Sequence, residues 1–270
     1  MTRREFLEIG AMAAALAGAG RLPLLGQGVV GAATPAPVCV QPIVGYLTRF
    51  SPTVSRRLGE EYRLVYDIIH WNRTDPRTWQ TTNDVAGTLE IARTLSPNGP
   101  KYRIAQETTY IGVTNRLAAT VTCDDNNLNS IRQWHVGWSA LADGKPIADM
   151  HLSDRGSVRN GVLRMGRRRA VQLGQALASQ WTLLDFVGRR ARGDTGVTFD
   201  LLEDLSLLKE GQHLVAAGLV RIPCASGPLT LRSFLQTGEG IHPRHYLVDD
   251  NGLPQVVTAS MVSWALQSVE

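Results

Sequence analysis

The chain has 270 residues, 43% of them hydrophobic, which is enough to bury a substantial core in one large domain or two small ones. Its net charge of +4 is small for a nucleic-acid-binding protein, and most of its lysines and arginines are spread along the chain. The composition therefore excludes a disordered chain and argues against nucleic acid as a partner.

The first residues form the pattern of an export signal. The segment Thr2–Glu8 reads Thr-Arg-Arg-Glu-Phe-Leu-Glu and resembles the twin-arginine consensus, from which only Glu8 departs. An apolar run over residues 9–20 follows, and it is too short to span a membrane. The resemblance implies a signal peptide over residues 1–33, recognition by the twin-arginine translocase, and a mature protein in the periplasm. The signal residues are Arg3, Arg4, Phe6 and Leu7.

An ordinary secretory signal and an uncleaved N-terminal anchor are the two alternatives for this segment. Residues 34–58 are interpreted as a linker and lead-in segment, because they begin with the stiff sequence Thr-Pro-Ala-Pro. The remaining residues, 59–270, are expected to form a single β-rich domain.

Alternation with a period of two residues begins at Tyr62 and continues through Leu64, Tyr66 and Ile68, which predicts a strand with one apolar face. Turn residues such as Asp143-Gly144 favour hairpins, because these residue types tolerate positive φ angles. Further strands are predicted at residues 86–95, 102–106, 115–123, 130–140 and 147–152.

The apolar period changes between residues 170 and 187, where Leu173, Leu177, Trp181 and Leu184 recur every three to four residues. This spacing predicts one inserted helix. A second group of strands is predicted at residues 197–202, 213–222, 229–236, 244–248 and 253–259, and residues 261–266 are predicted to form a final strand or a short helix. The expected fold is mainly β, a curved antiparallel sheet or half-barrel with the helix at about residues 170–187.

This order of elements resembles the half-open antiparallel β-barrel carriers of the lipoprotein-localisation type and their uncharacterised relatives. The segment His245–Pro254, which reads His-Tyr-Leu-Val-Asp-Asp-Asn-Gly-Leu-Pro, is similar to the tyrosine-containing strand, acidic-glycine turn and final strand that end such proteins. The resemblance implies the fold of a periplasmic carrier, and a fold alone does not confer a function.

The three cysteines, Cys39, Cys123 and Cys224, are far apart and form no C-x-x-C pair, so they lack the ligand spacing of a zinc site or an iron–sulfur cluster. Cys123 and Cys224 are predicted to be small buried side chains in strands. The alternative, a disulfide between them, depends on a Cα separation that the sequence does not give.

Aromatic residues indicate a ligand-binding site. Trp134 and Trp138 share one face of a predicted strand and His135 lies on the other, while Trp181 belongs to the predicted helix and Tyr246 to a later strand. Such side chains can line a pocket for a hydrophobic or amphipathic small molecule or lipid. The alternative is an ordinary core.

His242 and His245 are the histidines closest in sequence, and they are the candidate ligands if any metal binds. Pro243 argues against a helix, and in a strand the two side chains point to opposite faces, so no metal site is predicted. No cofactor is predicted either, because the chain has no dinucleotide-binding G-x-G-x-x-G after a strand and no P-loop.

Arginines are concentrated at both ends of the predicted helix. The two clusters are Arg164, Arg167, Arg168 and Arg169, and Arg189, Arg190 and Arg192. The second cluster complements the helix dipole, and both could meet anionic headgroups or an acidic partner.

Three functions remain open from the sequence. The first is a periplasmic protein that binds or carries a hydrophobic or amphipathic small molecule. The second is a hydrolase or lyase that uses His245, His135 and nearby acids. The third is an accessory subunit exported with a partner protein, for which an exposed apolar patch would be the sign.

Overall fold

The computed structural model describes residues 37–53, 57–71, 83–189, 196–259 and 261–270. The export-signal residues Arg3, Arg4, Phe6 and Leu7 lie outside these ranges. Among the described residues, no helix is both long enough and apolar enough to cross a membrane.

The described part of the chain forms one large, curved and unclosed sheet of sixteen strands. The strands are β1 Tyr62–His70, β2 Val85–Ser96, β3 Gly99–Tyr110, β4 Val113–Cys123, β5 Ile131–Ala142, β6 Lys145–Pro146, β7 Leu152–Arg159, β8 Val162–Met165, β9 Val171–Gln172, β10 Leu177–Ala178, β11 Val197–Glu203, β12 Leu207–Ile222, β13 Leu229–Thr237, β14 Arg244–Val248, β15 Pro254–Thr258 and β16 Val262–Val269. The order across the sheet is β10-β11-β12-β13-β14-β15-β16-β1-β2-β3-β4-β5-β7-β8-β9, with β6 paired to β5. Neighbouring strands are antiparallel except for the parallel pair β10–β11. The mainly β, half-open fold that the sequence predicts is confirmed.

Hairpin turns with two positive φ angles join several of these strands. Asp143-Gly144 has φ angles of 49° and 74°, and Asn160-Gly161 has 50° and 72°, as their residue types predict. The β3–β4 hairpin uses Ile111-Gly112 in the same conformation, with φ angles of 49° and 75°. A β-branched residue is strained there, and the Ile111 side chain is 83% exposed.

Each face of the sheet carries its own core. The inner face holds the larger core, which includes Tyr66, Trp134 and the helix α2, Thr182–Arg189. The outer face is covered by the N-terminal segment, in which a 3-10 helix, Val38–Ile43, leads directly into α1, Val44–Leu47. Residues that the sequence indicates as a lead-in segment therefore pack against the sheet.

The inserted helix is shorter than the sequence predicts. Residues 182–189 are helical, whereas the prediction of helix from residue 170 is wrong, since β9 and β10 occupy part of that stretch. Ser179 explains the late start, because its Oγ accepts a hydrogen bond from the Thr182 backbone N–H at 3.2 Å, as a helix cap does. Leu177 and Trp181 are buried as expected, although they precede the helix.

The strand predicted at residues 147–152 is also wrong. Residues 147–151 form a loop with Asp149 at a φ angle of 65°, and β7 begins at Leu152. The sequence of β7 is polar and contains Gly156, so it carries no alternating apolar signal. The final segment, which the sequence leaves as a strand or a helix, is the strand β16.

A buried carboxylate fixes α2 to the inner face. Asp185 is fully buried, and its two oxygens accept hydrogen bonds from Arg189 Nε at 2.9 Å and from the Tyr62 hydroxyl at 3.0 Å. The Tyr102 hydroxyl and Asn129 Nδ2 donate to it at 3.2 Å and 2.6 Å. Burial, together with the Asp185 charge, raises the pKa of both tyrosines. The donors come from α2 itself, from β1, from β3 and from the loop before β5, so this network ties α2 to several strands at one end of the inner face.

The cysteines are free thiols. Cys123 belongs to the inner core and Cys224 to the outer core, so the sheet separates them. Burial raises the pKa of Cys224 to about 11, which makes it an inert thiol at neutral pH. Both cysteines are buried as predicted, but only Cys123 lies in a strand, since Cys224 follows the end of β12.

Candidate ligand-binding cleft

The register of four neighbouring strands builds a row of side chains on the inner face. Gln106 of β3 lies opposite Leu117 of β4, Leu117 lies opposite Trp138 of β5, and Trp138 lies opposite Leu152 of β7. Because side chains on adjacent strands at directly opposite positions share one face, all four point inward.

Above the core, this row opens into a cleft of about 580 Å³. Its apolar surface comes from Leu117, Trp138 and Ala140, with the exposed side chains of Met150 and Leu152 at the rim. Its polar surface includes Gln106, Asn115, Arg168 and Asp204. One ligand in the cleft would therefore contact an apolar wall and a polar wall at the same time.

The turn between β11 and β12 forms one side of the cleft. Asp204 and Leu205 both have positive φ angles, 48° and 54°, and the Leu205 side chain is fully buried in the inner core. Trp134 Nε1 donates a hydrogen bond to the Leu205 carbonyl at 3.0 Å, and Arg168 Nη1 donates to the Ser206 carbonyl at 2.6 Å. We call these two contacts the seam, because they join the two limbs of the open sheet.

A smaller recess of about 200 Å³ continues from the cleft, since Gln106 and Asp204 line both. Glu203 lies in its wall and forms ion pairs with Lys209 and, at 3.4 Å, with Arg244. Gln180 donates to Asp204 Oδ1 at 2.6 Å and accepts from the Asp204 backbone N–H at 3.1 Å. The recess thus combines charged and amide side chains with an apolar lining of Val257, Val262 and Trp264.

Asp204 is accessible to solvent from the cleft, yet protein atoms surround its carboxylate on most sides. Desolvation and the nearby Glu203 charge raise its pKa, while the hydrogen bond from Gln180 partly opposes the shift. Arg244 Nη1 is buried without a hydrogen-bond partner among the described residues, and so is Nε2 of Gln236, the residue opposite Arg244 on β13. The inner face beside the recess therefore keeps two unused donors.

Of the five predicted ligand-binding residues, only Trp138 lines the cleft. Trp134, Trp181 and Tyr246 are buried in the inner core. His135 lies on the outer face, where its Nε2 is 3.1 Å from Ser153 Oγ. The three tryptophans and Tyr246 thus lie on the inner face, but all of them except Trp138 are part of the packed core.

The predicted histidine pairs do not converge. His135 is on β5 and His245 on β14, and six strands lie between them in the sheet. His242 is exposed in the loop before β14, and the His245 side chain contacts Ser233 Oγ at 3.2 Å through Nδ1. Burial lowers the pKa of His245. Among the described residues, no group of three His, Cys, Asp or Glu side chains is placed to hold a metal ion.

The polar residues of the cleft were not predicted from the sequence. Gln106, Asn115 and Asp204 come from strands or turns far apart in the chain, and only the strand register brings them beside Trp138. Alternation within a strand predicts which of its side chains point inward. It does not predict which inward side chains of different strands lie side by side, because that depends on how the strands pair.

No protein-family model matches the chain, and none of the curated proteins does. Among solved structures, the chain is similar to the crystal structure of a DUF1089 family protein from Pseudomonas aeruginosa. The identity is 14% over 63% of this chain and 89% of that chain, with a TM-score of 0.36. A similarity this low carries no argument about function.

Proposed function

We propose that the mature chain is an exported periplasmic protein that binds an amphipathic small molecule in the cleft on the inner face of the sheet. The observation that carries this proposal is the cleft itself. Its volume of about 580 Å³ lies within the usual range for small-molecule sites, about 300–1,000 Å³.

The apolar and polar walls of the cleft indicate which chemical class of ligand would bind there. An apolar portion would pack against Leu117 and Trp138, and this contact would remove apolar surface of both partners from solvent. A polar portion would reach Arg168, Asp204 and the recess around Arg244, where hydrogen-bonding groups are available. A molecule with one apolar end and one polar end would satisfy both walls, whereas a wholly apolar one would leave the polar wall without partners.

Export is the second part of the proposal, and its support comes from the sequence. Arg3, Arg4, Phe6 and Leu7 match the twin-arginine pattern, which would deliver the folded chain across the cytoplasmic membrane. No catalytic step is required for this function. A carrier needs a reversible site, and the cleft is open to solvent at its rim through Met150 and Leu152.

Native mass spectrometry and metal analysis of the mature protein, recovered from the periplasm of an exporting host, test both parts. Recovery of a processed chain with a bound organic mass and no stoichiometric metal is the expected result. A stoichiometric metal would contradict the proposal and favour a metal-dependent enzyme. A chain that stays in the cytoplasm with its first 33 residues attached would contradict export.

A pair of matched variants tests the location of the site. Leu152 lines the cleft and is 61% exposed, while Leu219 is 72% exposed on β12 and is not part of the cleft. With a dansyl-labelled fatty acid as the probe, Leu152→Asn should weaken binding about tenfold through lost apolar contact. Leu219→Asn should leave binding unchanged. Equal effects of the two variants would place the probe outside the cleft.

A further inference from the structure

The outer face of β3, β5, β7 and β8 carries a concentration of positive charge that the cleft does not use. Two rows of directly paired residues cross it. Arg103, Thr120, His135 and Arg155 form the first row, and Lys101, Thr122, Gln133, Ser157 and Arg164 form the second. Arg159 follows on the same face of β7, and Arg167 lies just beyond β8.

We define the basic face as the six exposed side chains of Lys101, Arg103, Arg155, Arg159, Arg164 and Arg167. Among the described residues, none of the six forms an ion pair. Three acids lie near the basic face, Glu90, Asp124 and Asp154, and two of them pair with other arginines. Glu90, which lies near Arg103, pairs with Arg63 at 2.8 Å, and Asp124 pairs with Arg132 at 4.0 Å.

The basic face surrounds a broad depression rather than a flat surface. The depression has a volume of about 880 Å³, and Arg155, Arg159 and Arg164 line it together with Gln133 and Ser157. A second depression of about 400 Å³ adjoins it and is lined by His135, Arg155 and Arg167. Each depression also has one carboxylate in its wall, Asp124 in the first and Asp154 in the second, but arginines outnumber it in both. Arginine and amide side chains donate hydrogen bonds, so both depressions present donors to an oxyanion.

Protection of the sheet edge does not explain this charge. Charged side chains on edge strands prevent unwanted pairing, and Arg164 on β8 could serve that purpose. Lys101 and Arg103, however, belong to β3, which is paired on both sides by β2 and β4. With strands about 4.8 Å apart, the positive charge spans roughly 19 Å from β3 to β8, and the few nearby carboxylates offset only part of its self-repulsion.

We propose that the basic face docks the protein on a membrane surface that contains anionic phospholipids. The charge complementarity favours this occupant over an acidic protein. A specific protein interface needs a buried apolar centre, and none of the exposed large apolar side chains of the described residues belongs to the basic face. Separate cations spread over neighbouring strands instead match an array of separate phosphate groups. The inference extends the proposed carrier function, since it gives the carrier a membrane on which to load or release its guest.

Vesicle co-sedimentation of the mature chain tests the docking. Vesicles of 30% phosphatidylglycerol in phosphatidylcholine should bind the protein, and pure phosphatidylcholine vesicles should not. The binding should disappear at 0.5 M salt, because exposed charges are screened over a few ångströms there. The triple variant Arg155→Gln, Arg159→Gln, Arg164→Gln should bind about 100-fold more weakly, at roughly fivefold per basic residue.

A matched control uses three exposed arginines outside the basic face. The triple variant Arg49→Gln, Arg57→Gln, Arg221→Gln changes the net charge equally and should keep most of the vesicle binding. Equal losses in the two triple variants, or equal binding of neutral and anionic vesicles, would overturn the proposal. Tighter binding to soluble polyglutamate than to anionic vesicles would also overturn it, in favour of an acidic protein.

The dansyl-labelled fatty acid separates this inference from the proposed function on which it rests. The basic-face triple variant should bind the probe as the unmodified chain does, since the six residues lie on the opposite side of the sheet from the cleft. Vesicle binding without probe binding would reject the carrier and leave the docking surface intact. Probe binding without vesicle binding would reject the docking surface alone.

Discussion

Trp134 and Trp138 lie on the same strand and the same face, four residues apart, yet they belong to two different regions. Trp134 is 2% exposed, and its row contains Tyr102, Val121 and Gly156. Trp138 is only partly buried and faces the cleft. The two positions are about 13 Å apart along the strand, so a short distance separates a closed end of the inner face from an open end.

The closed end is tightly packed, and its buried carboxylate is fully hydrogen-bonded. A Cβ atom at Gly156 would overlap the Trp134 ring, so only glycine lets the indole lie across β7. The helix α2 covers this region, and its Asp185 accepts hydrogen bonds from Arg189 of the helix and from Tyr62, Tyr102 and Asn129 of the elements below it. The open end has no covering helix among the described residues, and its polar groups face solvent or each other. One sheet therefore has a tightly packed, hydrogen-bonded end and a solvent-accessible end on the same face.

The largest expected effect is at the closed end. Asp185→Ala should lower the free energy of unfolding by about 3–5 kcal/mol, because it leaves the side chains of Arg93 and Arg189 without their buried counter-charge. Urea denaturation measures the change. Asp204→Ala is the matched variant at the open end and should cost less than about 1 kcal/mol. Similar losses for the two variants would contradict the division between the two ends.

A smaller effect is expected for the tryptophans. Trp134→Phe removes the hydrogen bond to the buried Leu205 carbonyl and should cost about 2 kcal/mol. Trp181→Phe is the control, since Trp181 is equally buried but its Nε1 has no partner among the described residues. Its cost should be about 1 kcal/mol lower, as measured by urea denaturation of both variants. Equal costs would mean that the seam contributes nothing to stability.

A modest gain is expected at the tip of the β3–β4 hairpin. Ile111→Asn should raise the free energy of unfolding by about 0.5–1 kcal/mol, because asparagine adopts the left-handed conformation more readily than a β-branched residue. Thermal unfolding would show the gain as a higher melting temperature. Ile111→Val retains the branched side chain and should show no gain. A loss of stability in the asparagine variant would mean that the exposed side chain makes a stabilising contact.

The smallest effect is a pH dependence at the open end. The pKa of Asp204 is raised in the folded chain above its ordinary value of 3.8, so the folded state holds the proton more tightly than the unfolded state. Its contribution to stability is therefore present at low pH and is lost as the pH rises from about 3.8 through the raised folded value. Urea denaturation between pH 3 and pH 7 should show the unmodified chain losing stability relative to Asp204→Asn. The opposite slope would show that the carboxylate is stabilised as the anion.

The strands were largely predictable, and the cleft was not. Alternation of apolar residues located β1 and β11, and residue pairs such as Asp143-Gly144 located turns, because both signals are local. The polar strand β7 gave no such signal, and the Ile111-Gly112 turn lacks the usual residue types. The helix was placed too early, since apolar spacing alone does not show that Ser179 caps it.

The two tryptophans of β5 show why local sequence signals do not identify the residues of the cleft. Trp134 and Trp138 have identical signals in the sequence, the same residue type on the same face of one strand. Only the position of α2 and the fold of the β11–β12 turn decide that one is core and the other lines a cleft. These are contacts between distant parts of the chain, and pattern within a strand does not encode them.

The seam has a mechanical consequence. In a closed barrel, widening the lumen requires breaking a ladder of backbone hydrogen bonds, about one for each residue of a strand. Here two hydrogen bonds from side chains to carbonyls, worth about 1 kcal/mol each, join the limbs beside the buried core, and of the two donors only Arg168 lines the cleft. The cleft can therefore widen by giving up the Arg168 contact, while the Trp134 bond and every strand pair stay intact.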